Sequence, residues 1–163
     1  MRCMLIGAVG SGKTTLSRAI EGLEPESVKT QTVTYNARTI DTPGEYTENP
    51  RLYRAILATA TEAECILFVQ DATADRTHFP PAMGQAFPCI SIGVVSKIDH
   101  PGADVVRARS LLQSVGLRGP TFEVSALVGT GIDRLLAFLD KPEPGAATVV
   151  VSDSGNTAGG GAR

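Results

Sequence analysis

Apolar positions along this chain fall into two alternating patterns. Met4-Leu5-Ile6, Cys65 to Val69 and Cys89 to Val95 are continuous apolar runs, the mark of strands buried on both faces. Elsewhere the apolar residues recur at helical spacing. Leu16, Ala19, Ile20 and Leu23 form one such face, and Leu52, Ile56, Thr59 and Ala60 a second. Val105, Val106, Ala108, Leu111, Leu112 and Val115 form a third, and Ile132, Leu135, Leu136 and Leu139 a fourth. Thr121 to Val124 reads as a short last strand. Thr32 to Tyr35 and Arg38 to Asp41 flank Asn36-Ala37 and predict an antiparallel pair with a tight turn. Strands alternating with helices predict an α/β domain, its mostly parallel sheet covered on both sides.

Breaker residues set the boundaries. Glu24 to Lys29 is a polar connection carrying Pro25. Asn49-Pro50 opens a helix that fades near Glu62, with Asn at the N-cap and Pro at the first helical position. Gln70 to Phe87 is a longer loop with room for a short helix and a stop at Pro80-Pro81, and Gly116 ends the third helix. From Lys141 the composition changes, giving a domain over 1–141 and a Gly/Ala/Ser-rich tail over 142–163. That tail has too little apolar surface to offset its ordering entropy and is expected to be disordered. Thr148 to Val151, four β-prone residues, is either a sticky spot in it or a docking peptide.

Composition narrows the function. The chain is 42% apolar and 20% charged with a net charge of −2, which offers no basic surface for nucleic acid or a membrane. No apolar run is long enough to span a bilayer. The first strand begins within a few residues of Met1, which leaves no room for a signal peptide and predicts a cytoplasmic protein. Cys3, Cys65 and Cys89 lie in or beside apolar runs without metal-ligand spacing, and read as small core residues. His78 and His100 read as solvated loop residues.

The chemistry starts at GAVGSGKT, Gly7 to Thr14, which fits the phosphate-binding loop pattern between a strand and a helix. Glycines at 7, 10 and 12 let the backbone wrap an anion with its N–H groups inward, and the helix dipole adds to the attraction. The nucleotide-binding set here is Gly7, Ala8, Val9, Gly10, Ser11, Gly12, Lys13, Thr14 and Thr15. Lys13 is expected to bridge the β- and γ-phosphates, and Thr14 to ligate Mg²⁺. Asp41-Thr42-Pro43-Gly44 ends a strand, so Asp41 is expected to hold Mg²⁺ through water and the Gly44 N–H to reach the γ-phosphate. Ser96-Lys97-Ile98-Asp99 ends another strand. Asp99 there can accept from N1–H and N2–H₂ of guanine, a pair that adenine lacks, while the Lys97 stem packs on the base. Ser125 and Ala126 follow the last strand, where a backbone N–H can donate to guanine O6. GTP or GDP with Mg²⁺ is therefore the expected ligand.

Taken together these stretches resemble the Ras-like P-loop GTPases and, within them, the EutP/PduV family of the ethanolamine- and propanediol-utilisation operons. MLIGAVGSGKTTL, KTQTV, IDTPGEYTENPRLYRAIL, VQDATADRTHFPP and SKID carry the resemblance, which covers roughly residues 2 to 140. It implies a three-layer fold, a mostly parallel six-stranded sheet with one antiparallel edge strand. It also implies a bacterial microcompartment setting, with shell or operon proteins as partners.

The chain departs from the GTPase pattern in three places. The span from Lys13 to Asp41 is short, so the loop that supplies a second Mg²⁺ ligand is cut down; Thr30 is the candidate ligand and Thr32 the runner-up. Glu45 stands where Ras-like enzymes usually place a water-orienting glutamine, as the second catalytic residue beside Lys13. Its charge opposes that of the γ-phosphate, which predicts slow hydrolysis. Arg51 or Arg76 could compensate that charge. Ser96 replaces the usual Asn or Thr. Three functions follow as expectations: a slowly hydrolysing GTP-binding protein, an acetate-kinase-like phosphotransferase using ATP, or a shell-associated scaffold with incidental nucleotide.

Overall fold

The computed structural model of the chain describes residues 1–25 and 30–141. The expected tail over 142–163, with Thr148 to Val151, lies outside them, as does most of the Glu24 to Lys29 connection.

Six strands form one sheet in the order β2-β3-β1-β4-β5-β6. They are β1 (Cys3–Ile6), β2 (Thr34–Tyr35), β3 (Thr39–Asp41), β4 (Cys65–Asp71), β5 (Ile90–Ser96) and β6 (Thr121–Glu123). Every pairing is parallel except β2 with β3, which pairs Thr34 with Asp41 and Tyr35 with Ile40. This is the α/β arrangement of a P-loop GTPase.

The continuous apolar runs are explained by two cores. Along β1 and β4, Met4, Ile6, Ile66 and Phe68 point to one side, while Cys3, Leu5, Cys65, Leu67 and Val69 point to the other. Helices α3 (Tyr53–Ala60) and α4 (Val105–Gln113) cover the first face through Ile56, Ala60, Ala108 and Leu112. Helices α1 (Lys13–Ile20) and α5 (Ile132–Leu139) cover the second through Leu16, Ile20, Ile132, Leu135 and Leu139. The long connection after β4 is anchored by Phe79 and Phe87, both edge-on to Phe68 with ring centroids 5.0 and 5.8 Å away.

Several boundaries differ from the sequence reading. Helix α1 stops at Ile20 and does not include Leu23. Gly22 takes the left-handed conformation, the Leu23 N–H returns to the Arg18 carbonyl at 2.8 Å, and the Leu23 side chain is exposed. Val106 faces solvent, since α4 rests on the core through Val105, Ala108 and Leu112. The helix expected from Asn49 is divided. A four-residue helix α2 (Glu45–Glu48) precedes it, and Pro50–Leu52 forms a 3-10 turn before α3. Asn49 does cap that turn, its side chain accepting the Arg51 N–H at 3.1 Å. Strand β4 runs on through Gln70 to Asp71, and the turn in the following loop is Met83–Gln85.

Cys3 and Cys65 are buried in the second core, and burial pushes the Cys3 thiol up to about 12. Cys89 is half-buried. No helix among the described residues is long and apolar enough to cross a membrane.

Candidate functional site

The carboxyl ends of β1, β3, β5 and β6 open into one cavity of about 450 Å³. Topology predicts a ligand site at such strand ends. At one end the cavity is lined by Val9, Gly10, Gly12, Lys13, Thr14 and Thr15, with Thr30, Thr42, Gly44 and Glu45 facing them. At the other end lie Ser96, Lys97, Asp99, Ser125 and Ala126. Gly7, Ala8, Ser11 and Asp41 stand behind this lining. Residues from five separate stretches thus share one space.

The phosphate-loop end is rich in unsatisfied donors. The N–H groups of Gly10, Gly12, Lys13, Thr14 and Thr15 donate to no described residue, where the loop turns into α1. The Gly44 N–H likewise donates to none. Gly44 must be glycine on contact grounds, because a Cβ there would lie 2.4 Å from the Val9 nitrogen. Lys13 is buried, and its Nζ donates to the Ala8 carbonyl at 2.7 Å and to Ser11 Oγ at 3.4 Å. Burial lowers the Lys13 ammonium to about 8, against Asp41, Glu45 and Glu48, which act to raise it. A buried ammonium among orphan N–H groups is a place for an anion.

Beside it three oxygens converge. Asp41 Oδ2 accepts from Thr14 Oγ1 and Thr30 Oγ1, each at 2.7 Å, and the two hydroxyls lie 2.5 Å apart. Asp41 Oδ1 is buried without a partner among the described residues. Two hydroxyls and a carboxylate with one orphan buried oxygen are the kind of donor set that a hard divalent cation takes. Thr32, the alternative, is exposed and not part of this cluster. Arg51 and Arg76 are both exposed, and only Arg76 reaches a cavity.

The other end is built from loops. Ser96 Oγ donates to the Ser11 carbonyl at 2.7 Å, which ties the end of β5 to the phosphate loop. Lys97 sits at φ 59°, and its Nζ donates to Asp71 Oδ2 at 2.6 Å. Burial acts to raise the Asp71 carboxyl, but the hydrogen bonds from Lys97 and Thr73 outweigh it and hold it low. Asp99 is exposed and its carboxylate pairs with no described residue. The Ser125 N–H is taken by the Thr130 carbonyl at 2.9 Å, so the donors left in this stretch are those of Ala126 and Leu127.

A model of the PduV-EutP family, described as ethanolamine utilisation - propanediol utilisation, matches residues 1–141. The chain belongs to the PduV-EutP family. "Propanediol utilization protein PduV" of Citrobacter freundii is 38% identical over 148 residues, 90% of this chain and 98% of that protein. "Probable acetate kinase EutP" of Salmonella typhimurium is 36% identical over 140 residues, 85% of this chain and 88% of its own. The Escherichia coli protein of the same name is 35% identical over the same length. The PduV-EutP family is tied to ethanolamine and propanediol utilisation, and this chain shares that tie.

The sequence reading did not single out several residues of the site. Thr42 lines the cavity and donates to the Leu5 carbonyl at 2.7 Å; His100 and the exposed Leu127 line its loop-built end. Thr47 and Glu48 of α2 accept the Gly7 and Val9 N–H groups at 3.1 and 2.8 Å. Four residues are too few for a periodic signal, so α2 was invisible. Asp71 was legible in principle, since it ends a strand as Asp41 does. A second cavity of about 160 Å³ lies against the phosphate loop, lined by Gln70, Asp71, Asp75, Arg76 and His78 together with Ala8, Val9, Ser11 and Glu48. His78, expected as a solvated loop residue, lies in the loop after β4 and is half-buried against this cavity.

Proposed function

We propose that this protein is a Mg²⁺-dependent guanine-nucleotide-binding protein with slow hydrolysis, serving ethanolamine or propanediol utilisation in the cytoplasm or at a microcompartment. One observation carries the reading. A phosphate-loop end and a loop-built end line one cavity of about 450 Å³, the first with N–H groups and the second with an Asp99 carboxylate that have no partner among the described residues.

In this reading the orphan N–H groups and Lys13 hold the phosphates, and the Gly44 N–H takes the terminal one. Thr14, Asp41 and Thr30 would hold Mg²⁺, which when bound neutralises charge on the phosphate oxygens. Glu45, lining the cavity, positions water. Its carboxylate weakly tolerates added negative charge beside it, so turnover is slow. Asp99 accepts the paired donors of guanine, and Ala126 or Leu127 donates to its carbonyl oxygen. Shell or operon proteins are the partners that fit the family's setting.

Competition against fluorescent GDP tests this. GTP should displace it with Mg²⁺ present, and ATP should need a far higher concentration. Equal competition by ATP would remove guanine specificity from the reading.

A second reading has an observation of its own. The relatives named probable acetate kinases share most of this chain's length, and the second cavity, with Arg76 and His78, adjoins the phosphate loop. An acceptor carboxylate held there would receive the phosphoryl group in place of water. Acyl phosphate formed from acetate and ATP would favour this reading; its absence at saturating acetate would discard it.

A further inference from the structure

Helix α2 lies against the back of the phosphate loop. Its Thr47 is fully buried with Oγ1 on the Gly7 N–H, and Glu48 Oε1 sits 2.8 Å from the Val9 nitrogen. Val9 lines the nucleotide cavity on its other side. The Glu48 carboxylate is therefore one peptide away from that cavity. The Gly44 backbone packs on the same peptide, close enough that a Cβ would lie 2.5 Å from the Val9 Cα. Gly44 and Val9 together bound the corner where a terminal phosphate would rest.

We infer that Glu48 is a specificity-determining residue that sets the balance between nucleoside diphosphate and triphosphate. The inference rests on the nucleotide-binding reading above. A carboxylate beside that corner repels the added charge of a third phosphate and leaves a diphosphate, which does not reach it, almost untouched. The Lys13 ammonium, which faces the phosphates, already feels Asp41, Glu45 and Glu48 together. Glu45 and Glu48 are three residues apart in one helix and face the same loop. The charge matters here more than the hydrogen bond, because an uncharged acceptor would satisfy the Val9 N–H equally well.

Glu48→Gln separates the two. It keeps an oxygen for Val9 and removes the charge. Calorimetric affinities for GDP and GTP, with Mg²⁺, give the ratio of the two dissociation constants. Glu48→Gln should move the ratio about fivefold toward GTP, and Glu48→Ala should move it the same way. Glu62→Gln, at an exposed carboxylate in the turn after α3 that does not line the cavity, removes the same charge from the chain and should leave the ratio alone. Raising salt should narrow the gap between wild type and Glu48→Gln, which a purely structural role would not do. An unchanged ratio in both Glu48 variants, each still binding GDP, overturns the inference. Failure of the wild-type chain to bind GDP at all would instead overturn the nucleotide reading, and this inference with it.

Discussion

The two ends of the main cavity are built on different principles. At the phosphate-loop end the polar side chains are buried or half-buried and already engaged: Lys13 on Ala8 and Ser11, Thr14 and Thr30 on Asp41, Thr42 on Leu5, Thr47 on Gly7. Lys13 and Thr14 start α1, and Asp41 and Thr42 lie at the end of β3, so their positions follow from the sheet; Thr30 lies in a loop and Thr47 in α2. At the other end Asp99 and His100 are exposed, and Leu127 is 65% exposed. Ser96 and Lys97 are tied to Ser11 and Asp71, and Ser125 Oγ accepts the Val128 N–H at 3.3 Å. One end is held in shape before any ligand arrives. The other presents exposed groups, Asp99, His100 and Leu127, on loops. The lesson is that affinity should come from the first end and selectivity from the second.

The largest expected effect tests the first half of that statement. On the proposed reading, Lys13→Ala removes a charged donor that faces the phosphates. GTP and ATP affinity should both fall about a thousandfold, measured by calorimetry. A loss confined to one nucleotide would break the division of labour.

The next effect concerns the charge stored at that end. Lys13 is lowered from its ordinary 10.5 to about 8, so between those values the unfolded chain binds more protons than the folded one. Stability of the nucleotide-free protein should therefore rise with pH from about 8 to 10.5. The gain from this group is on the order of 3 kcal/mol at most. Lys13→Met should flatten the rise in urea melts recorded across that window. A wild-type protein whose stability falls through the window, in parallel with Lys13→Met, would count against the desolvated ammonium.

Asp99→Ala tests the loop-built end. It should reduce the preference for GTP over ATP by about thirtyfold while total affinity changes far less. Equal losses for both nucleotides would mean that Asp99 contributes to binding and not to selection.

Ser96→Ala gives the smallest effect and probes the link between the ends. Losing one buried donor on the Ser11 carbonyl should cost about 1 kcal/mol of stability. Base preference should weaken about threefold, since the loop is less firmly placed. A change in thermal melting with no change in preference would show the two ends to be independent.

The legibility of the site follows the same division. The phosphate loop is contiguous, so Gly7 to Thr15 could be read directly, and Asp41 and Gly44 could be read from a strand followed by a turn. Thr30 was favoured over Thr32, and the structure brings Thr30 to Asp41. Glu48 and Thr47 carry no pattern, because a four-residue helix has no period. The Lys97 pairing with Asp71 joins two strand ends far apart in the chain, and nothing local announces it.

By itself the sequence determined the order of the six strands and the four longer helices, the two-faced burial of the central strands and the family. Apolar periodicity and a contiguous glycine motif are local properties, and local properties are written in neighbouring residues. Only the tertiary structure decided that α1 ends at Ile20, that α2 exists and that its Glu48 rests on Val9. It alone decided that the Ser125 N–H is already spent on Thr130. The contact of Glu48 with Val9 joins residues far apart in the chain, and the others rest on turns closed by backbone hydrogen bonds, Leu23 to Arg18 and Ser125 to Thr130. Such contacts are fixed by packing distances of a few ångströms, which no spacing along the chain encodes.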